Sequence, residues 1–263
     1  MPRPAPPDQP HDRSTVSRLI LIPTQREATL LVSAMETAGQ RLLTHKSCRV
    51  ALCGFGPITS SAMTMNWLQR FRPQSVTLVG TAGAYDDRLE IGSAYWFATV
   101  AQYGIGVGQG IRYQGAGACQ FHALQPPGAG GPTVSQNLFI QRPGSDQDIA
   151  QVEIGVGDLR LVESQAVGDV IALAGGDSGL LLTVCAAAAN MEEVGQRLAC
   201  FPQSRAEEME GYAVATACLA TGTPLRILRG ISNLAGDRQH HRWQMESALR
   251  SVAERLLEDL QAD

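Results

Sequence analysis

The chain runs repeatedly from a short, uninterrupted apolar stretch into a glycine- or proline-containing turn and then into a helical pattern. This alternation limits its fold more than any other feature. Arg18-Leu19-Ile20-Leu21-Ile22, ended by Pro23, has no polar alternation, as a strand covered on both faces requires. A helix is expected from about Arg26 to Ala38, ending at Gly39. Val50-Ala51-Leu52-Cys53 reads as a second strand, Gly54-Phe55-Gly56-Pro57 as a tight turn, and the stretch from about Thr59 to Phe71 as a helix. Ser75-Val76-Thr77-Leu78-Val79 is a third buried strand that runs into Gly80-Thr81-Ala82-Gly83. Such a sequence predicts an α/β fold, a three-layer α/β/α sandwich around a mainly parallel, twisted mixed sheet. Ligands of such sheets bind at the carboxyl ends of the strands.

Glycine and proline cluster around 104–117 and 126–132, so residues 101–148 read as loops with short strands, and strand character returns over 152–173. Leu180-Leu181-Leu182-Thr183-Val184 is another buried strand. A helix is expected from Glu207 to Thr221, with Met209, Ala213, Ala217 and Ala220 on one face, Gly222 as its cap and Pro224 blocking continuation. Leu225 to Leu228 reads as a final strand and Arg242 to Leu260 as a closing helix. Residues 1–17 are rich in proline and polar residues, without an apolar period to repay ordering, and read as a flexible tail before a single domain, 18–263.

A length of 263 residues with 44% hydrophobic content suits one large domain. A net charge of −4 with 17% charged residues lacks the basic excess that phosphate-backbone binding needs, so no nucleic-acid partner is expected. No apolar run approaches the ~20 residues of a membrane span and no secretory signal is apparent, so a soluble, cytoplasmic protein with no membrane partner is expected. The six cysteines lack C-x-x-C spacing and read as reduced, buried thiols. The Gly54/Gly56 pair lacks the third glycine of a dinucleotide fingerprint, and the adjacent His240 and His241 point apart with no third ligand. Neither an organic cofactor nor a metal is expected.

Three polar clusters follow predicted strands: Glu27; Thr81; and the pair Glu208/Glu210 with Arg229 and Asn233. Structural readings compete for each. Glu27 fits a solvated helix face, Glu210 a helix start stabilised by the dipole, Arg229 an ion-pair partner of Glu208, and Asn233 a turn.

Ala206-Glu207-Glu208-Met209-Glu210-Gly211-Tyr212-Ala213-Val214-Ala215, then Pro224 and Arg229-Gly230-Ile231-Ser232-Asn233, resemble the signature of the purine nucleoside phosphorylase and nucleosidase superfamily. Gly54-Phe55-Gly56-Pro57, Gly80-Thr81-Ala82-Gly83 and Leu89-Glu90-Ile91-Gly92 continue the match in the family's order. The resemblance implies the phosphorylase/hydrolase-like form of the α/β/α fold and a homodimer or higher homo-oligomer. In its methylthioadenosine/S-adenosylhomocysteine nucleosidase branch a helix glutamate activates the attacking water, a place taken by Glu27, with Thr81 and Arg229 as companions. Glu210 takes the place of the carboxylate on the ribose hydroxyls, Met209 that of the side chain on the sugar, and Asn233 that of the residue on the purine edge. Ala82, Gly83, Glu208 and Ser232, inside the same motifs, complete the implied binding set.

Adenine-specific members of the family carry aspartate at the place of Asn233. An amide NH₂ donates to N7 and O6 of a 6-oxopurine, whereas a 6-aminopurine offers an acceptor and a donor, so Asn233 favours hypoxanthine. Asn233-Leu234-Ala235-Gly236-Asp237-Arg238 with Trp243, and Leu182-Thr183-Val184-Cys185, are similar to the futalosine hydrolase branch, which removes hypoxanthine from futalosine in a menaquinone pathway. A purine nucleosidase of that kind is the expectation. Three alternatives stay open: an adenine-type nucleosidase, a phosphorylase with an anion site near Arg26 and Arg88, and a non-catalytic nucleoside-binding protein. The alanine run 186–189 lies where relatives place aromatic or polar base contacts.

Overall fold

A computed structural model describes residues 16–37, 48–115, 161–162 and 170–262. The strands are β1 (Arg18–Ile22), β2 (Cys48–Leu52), β3 (Ser75–Ala84), β4 (Ala94–Trp96), β5 (Thr99–Gln102), β6 (Gly106–Val107), β7 (Gln114–Gly115), β8 (Leu161–Val162), β9 (Val170–Ala172), β10 (Leu180–Thr183), β11 (Ser204–Glu208) and β12 (Leu225–Leu234). The helices are α1 (Gln25–Thr37), α2 (Pro57–Phe71), α3 (Met191–Cys200), α4 (Gly211–Thr221) and α5 (Met245–Ala262).

Strand alternation in β1 explains the layering. Leu19 and Leu21 enter one apolar cluster with Leu68 of α2 and with Tyr212, Val214 and Cys218 of α4. Ile20 and Ile22 enter another with Leu31 and Met35 of α1 and with Val252 and Leu256 of α5. The sheet is therefore covered on both faces, which is why β1 is apolar throughout. A third cluster joins Leu182, Val184, Val194 of α3 and Phe201.

The sheet is mixed. β2, β1, β3 and β12 run parallel, as do β5, β10 and β11, and the two groups meet antiparallel where β11 reaches β3. β12 follows β3 along almost its whole length, but the other edge of β3 changes partner. β1 pairs with it as far as Leu21 opposite Leu78, and β11 takes over at Glu207 opposite Gly83. Between them lies a short interval of β3 that neither strand covers.

Local signals set several ends. Gly56 (φ 80°) and Pro57 start α2, and Gly222, left-handed at φ 66°, ends α4 with its N–H donating to Cys218 and Leu219 carbonyls. Other elements depart from expectation. Glu207 and Glu208 belong to strand β11, and α4 begins only at Gly211. Pairing with β10 and β3 overrides the helix propensity of Glu and Met there. β12 runs on through Arg229 and Asn233 to Leu234, and a single 3₁₀ turn, His240–Arg242, precedes α5. α3 was not foreseen; Asn190 caps it by accepting the Glu193 N–H at 3.0 Å. Val16, placed in the tail by sequence, is buried and accepts from Gln74. Cys48, Cys53 and Cys218 are buried, but Cys185 is exposed and Cys200 half-buried, so the expectation of uniformly buried thiols fails. Gly39, Cys119, His122 and most of 101–160 lie outside the described residues. Among the described residues no helix is long and apolar enough to cross a membrane.

Two glycines test the packing. A Cβ on Gly230 would stand 2.5 Å from the Ala248 carbonyl oxygen, where α5 lies directly on β12, whereas a Cβ on Gly195 of α3 meets nothing within 4 Å. In urea unfolding, Gly230→Ala should lose about 1–3 kcal/mol or more through overpacking. Gly195→Ala should gain roughly 0.5–1 kcal/mol.

Candidate active site

The uncovered interval of β3 is where the polar side chains gather. With no strand on that edge, the Thr81 N–H donates at 2.9 Å to Glu27 Oε1, and the Thr81 hydroxyl donates to the same oxygen at 3.0 Å. Glu27 sits in the first turn of α1. The Thr24 hydroxyl accepts from the Glu27 N–H at 3.2 Å and donates to Glu27 Oε2 at 2.7 Å. The carboxylate is thereby held from three sides, and it is buried.

Arg229 lies opposite Gly80 in the β12–β3 register and is wholly buried. Its Nη2 donates to Glu208 and, at 3.4 Å, to Glu210 Oε2, while Nε and Nη1 have no partner. Gly80 makes the approach possible. A Cβ there would be 2.1 Å from Arg229 Nη1 and 3.0 Å from Glu27 Oε1, so guanidinium and carboxylate converge on one spot over a residue without a side chain.

Glu208 supports this arrangement. Its oxygens accept from the N–H of Glu210 at 2.9 Å, from the N–H of Gly211 at 2.8 and 2.9 Å, from the Thr183 hydroxyl and from Arg229. Both its oxygens accept from internal donors, because the turn from β11 into α4 points its amides at it. Glu210 is freer: Oε1 accepts the Gly56 N–H at 3.1 Å and Oε2 faces Arg229.

Burial pushes the Glu210 carboxyl up to about 8, and Glu208 adds to the rise, against the pull of Arg229 and the Gly56 amide. For Arg229 burial works against the charge, but Glu208, Glu210 and Glu27 outweigh it and hold the guanidinium protonated. Burial also pushes the Cys53 thiol, beside these groups, up to about 12.

The neighbouring rungs of β3 and β12 carry the rest. Ile231 lies opposite Ala82 and Asn233 opposite Gly83, with Ser232 bulged between them. The Ser232 hydroxyl is 2.7 Å from Asn233 Oδ1 and 3.3 Å from the Ala82 carbonyl, and Asn233 Nδ2 donates to the Leu234 carbonyl at 2.7 Å. The Leu234 carbonyl, which can only accept, thus fixes which end of the amide is the NH₂, and leaves Oδ1 to Ser232. Half-buried Met209 packs with Tyr85, Ala188 and Ala235.

Hydrogen bonds join Glu27 to Thr81, and ion pairs and hydrogen bonds join Arg229, Glu208 and Glu210; the two groups meet over Gly80, while Ala82, Gly83, Ser232 and Asn233 adjoin them along β3 and β12. Two other candidates stay apart. Arg26 is exposed, and Arg88 is exposed and donates to Asp86 at 2.8 and 2.9 Å. Gly56, Gly80 and Thr183 lie inside motifs noted in the sequence but were given no role there, and Thr24 was not noted, although Thr-x-x-Glu is the spacing of a helix start. Among the described residues no group of three or more His, Cys, Asp or Glu is placed to hold a metal.

No protein-family model matches the chain. It is 28% identical over 194 residues to the 5'-methylthioadenosine/S-adenosylhomocysteine nucleosidase of Colwellia psychrerythraea, covering 73% of this chain and 68% of that one. It is 27% identical over 203 residues to the futalosine hydrolase of Thermus thermophilus, covering 76% and 75%. Among solved structures it is similar to the 5'-methylthioadenosine/S-adenosylhomocysteine nucleosidase of Neisseria meningitidis in complex with methylthio-immucillin-A. The TM-score is 0.61 at 18% identity, over 94% of this chain and 100% of that one. The futalosine hydrolase of Helicobacter pylori gives a TM-score of 0.61 at 18% identity over 94% and 99%. The α/β fold is shared with both. The relatives are nucleosidases and hydrolases, and several more carry the first name, so the comparisons support the common class without dividing its branches.

The Glu210 proton gives a pH signature. An ordinary glutamate titrates near 4.5 and this one near 8, so between those values the folded protein holds a proton that the unfolded chain has released. The associated stability is complete below about 4.5 and is lost as pH rises through about 8. Glu210→Gln removes this contribution. Its melting temperature, measured against the parent, should therefore improve steadily from pH 5 to pH 8.5; a constant difference would contradict the raised value.

Proposed function

We propose that the protein is a purine nucleosidase that hydrolyses the N-glycosidic bond of a 6-oxopurine nucleoside, with futalosine as substrate and hypoxanthine as the released base. The observation that carries this reading is the approach of Glu27 Oε1 and the unpartnered donors of Arg229 to one spot over Gly80. A carboxylate held from several sides next to vacant cationic donors suits the capture of a water molecule. Arg229 would hold the water oxygen and Glu27 would take its proton as it attacks the anomeric carbon.

Departure of a purine leaves an oxocarbenium-like sugar and an electron-rich base. Glu210 would bind the ribose hydroxyls, and its ionised form would favour the positive sugar. Met209 would pack on the sugar, with Thr81, Ala82 and Gly83 lining that side. Asn233, its oxygen turned to Ser232 and one N–H on the Leu234 carbonyl, would direct its other N–H to the base. Glu208 would act through Arg229 and the α4 amides as a positioning residue. No cofactor or metal enters the scheme, and a homodimer or higher homo-oligomer in the cytoplasm, within menaquinone biosynthesis, belongs to the same reading.

A second reading, cleavage of methylthioadenosine or adenosylhomocysteine, is favoured by the names of most of the relatives given above. Phosphorolysis has less support, since Arg88 is engaged by Asp86 and Arg26 is exposed.

Base release from inosine, futalosine, methylthioadenosine and adenosylhomocysteine, with and without phosphate, separates these readings. Hypoxanthine release independent of phosphate is expected. Glu27→Gln should lower kcat by about 10²–10⁴ while ligand still binds; unchanged turnover would remove Glu27 from the mechanism. Asn233→Asp should shift kcat/KM from 6-oxo towards 6-amino purines by roughly 10²-fold or more, read from paired inosine and adenosine assays.

A further inference from the structure

Glu207 precedes Glu208 in β11, and strand alternation sends the two carboxylates to opposite faces. Glu208 meets Arg229, while Glu207 meets the segment between β10 and α3, residues 185–190. Glu207 is 4% exposed, and every contact it makes is internal. Oε1 accepts the Ala188 N–H at 2.7 Å; Oε2 accepts the Tyr85 hydroxyl at 2.9 Å and the Arg197 guanidinium. Arg197, buried on α3, also donates to the Ala186 carbonyl at 2.9 Å and lies 5.7 Å from the centre of the Tyr103 ring. One buried ion pair therefore fixes the loop at two places.

The loop's other polar anchors lie at its ends, where the Ala189 N–H donates to Glu193 Oε2 at 2.9 Å and Gln102 Nε2 stands 3.9 Å from Cys185 Sγ. Residues 186–189 are alanines, which bring no polar side chain of their own, and Cys185, Ala186 and Ala187 are exposed. Ala188 packs with Met209 and Ala235. At the far end the Asn190 backbone lies against Gly236, three residues beyond Asn233, where a Cβ would be 2.9 Å from the Asn190 carbonyl group. The loop thus spans from the side chain assigned to the sugar to the strand end assigned to the base. A buried ion pair contributes little stability compared with apolar groups of equal volume. What the Arg fork supplies is geometry, with several donors held in one plane.

We propose that Glu207, acting through Arg197 and directly on Ala188, is a positioning residue that shapes loop 185–189 as a wall of the base pocket and so sets affinity for the purine base. The proposal rests on the nucleosidase reading above. It leaves bond cleavage to Glu27 and makes ground-state binding the property that depends on Glu207.

The test uses the full chain, inosine or whichever purine nucleoside the parent cleaves, and free hypoxanthine or the corresponding base as a probe in titration calorimetry. Glu207→Gln keeps an acceptor for Ala188 but removes the buried counter-charge of Arg197, leaving it only the more exposed Glu193 at 3.7 Å. Arg197→Lys keeps the charge, yet one ammonium replaces the fork and cannot hold Glu207 and the Ala186 carbonyl in the same plane. Both should raise KM and weaken base binding by about tenfold, the scale of one lost hydrogen bond to the ligand, with kcat within about threefold. Should Glu207→Gln fail to fold, Arg197→Lys and Tyr85→Phe carry the same measurement. A fall in kcat at unchanged KM, the mark of a smaller folded fraction, overturns the proposal, as do unchanged constants in variants that fold. A parent that cleaves no purine nucleoside overturns the nucleosidase reading; a parent that cleaves while its variants keep its KM overturns this assignment alone.

Discussion

The burial of Arg229 is the constraint on which the rest of the site depends. A guanidinium removed from water is tolerated only when carboxylates and hydrogen bonds replace its hydration. Glu208 meets that demand, and it is itself held by Thr183 and by the amides that open α4. The strand-to-helix turn after β11, the end of β10 and the middle of β12 are therefore fixed to one another by a single charge. Gly80 completes the arrangement by leaving the space that the guanidinium and the Glu27 carboxylate both face.

The sheet supplies the place. Had β1 continued beside β3, the Thr81 amide would have been spent on the ladder. Because β1 stops and β11 joins later from the opposite direction, main-chain donors in the interval are free for side chains. The site occupies the point where the sheet changes partners, as ligand sites in α/β proteins tend to do.

Much of the fold was legible because its signals are local. The apolar run of β1, Gly56-Pro57 before α2 and Gly222 after α4 each state their structure within a few residues. Motif order brought Glu27, Thr81, Glu210, Arg229 and Asn233 into one list, since they lie at or near strand ends. What stayed hidden depended on partners distant in sequence. Glu207 and Glu208 read as helix because Leu182, Thr183 and Gly83, which make them strand, are 24 or more residues away. For the same reason the internal donors to Glu208 were not legible, since they come partly from Thr183 and Arg229. α3 was missed although Asn190 caps it.

The raised Glu210 carboxyl has a consequence for ligand choice. Around Arg229 stand Glu27, Glu208 and Glu210, and the last holds its proton at neutral pH because burial and Glu208 disfavour another negative charge. A ligand that brings positive charge to this place would reverse the balance and draw Glu210 back to its ionised form. Its uptake would release a proton to the solvent and would tighten as the medium becomes more alkaline, whereas a neutral ligand of the same shape would show neither effect.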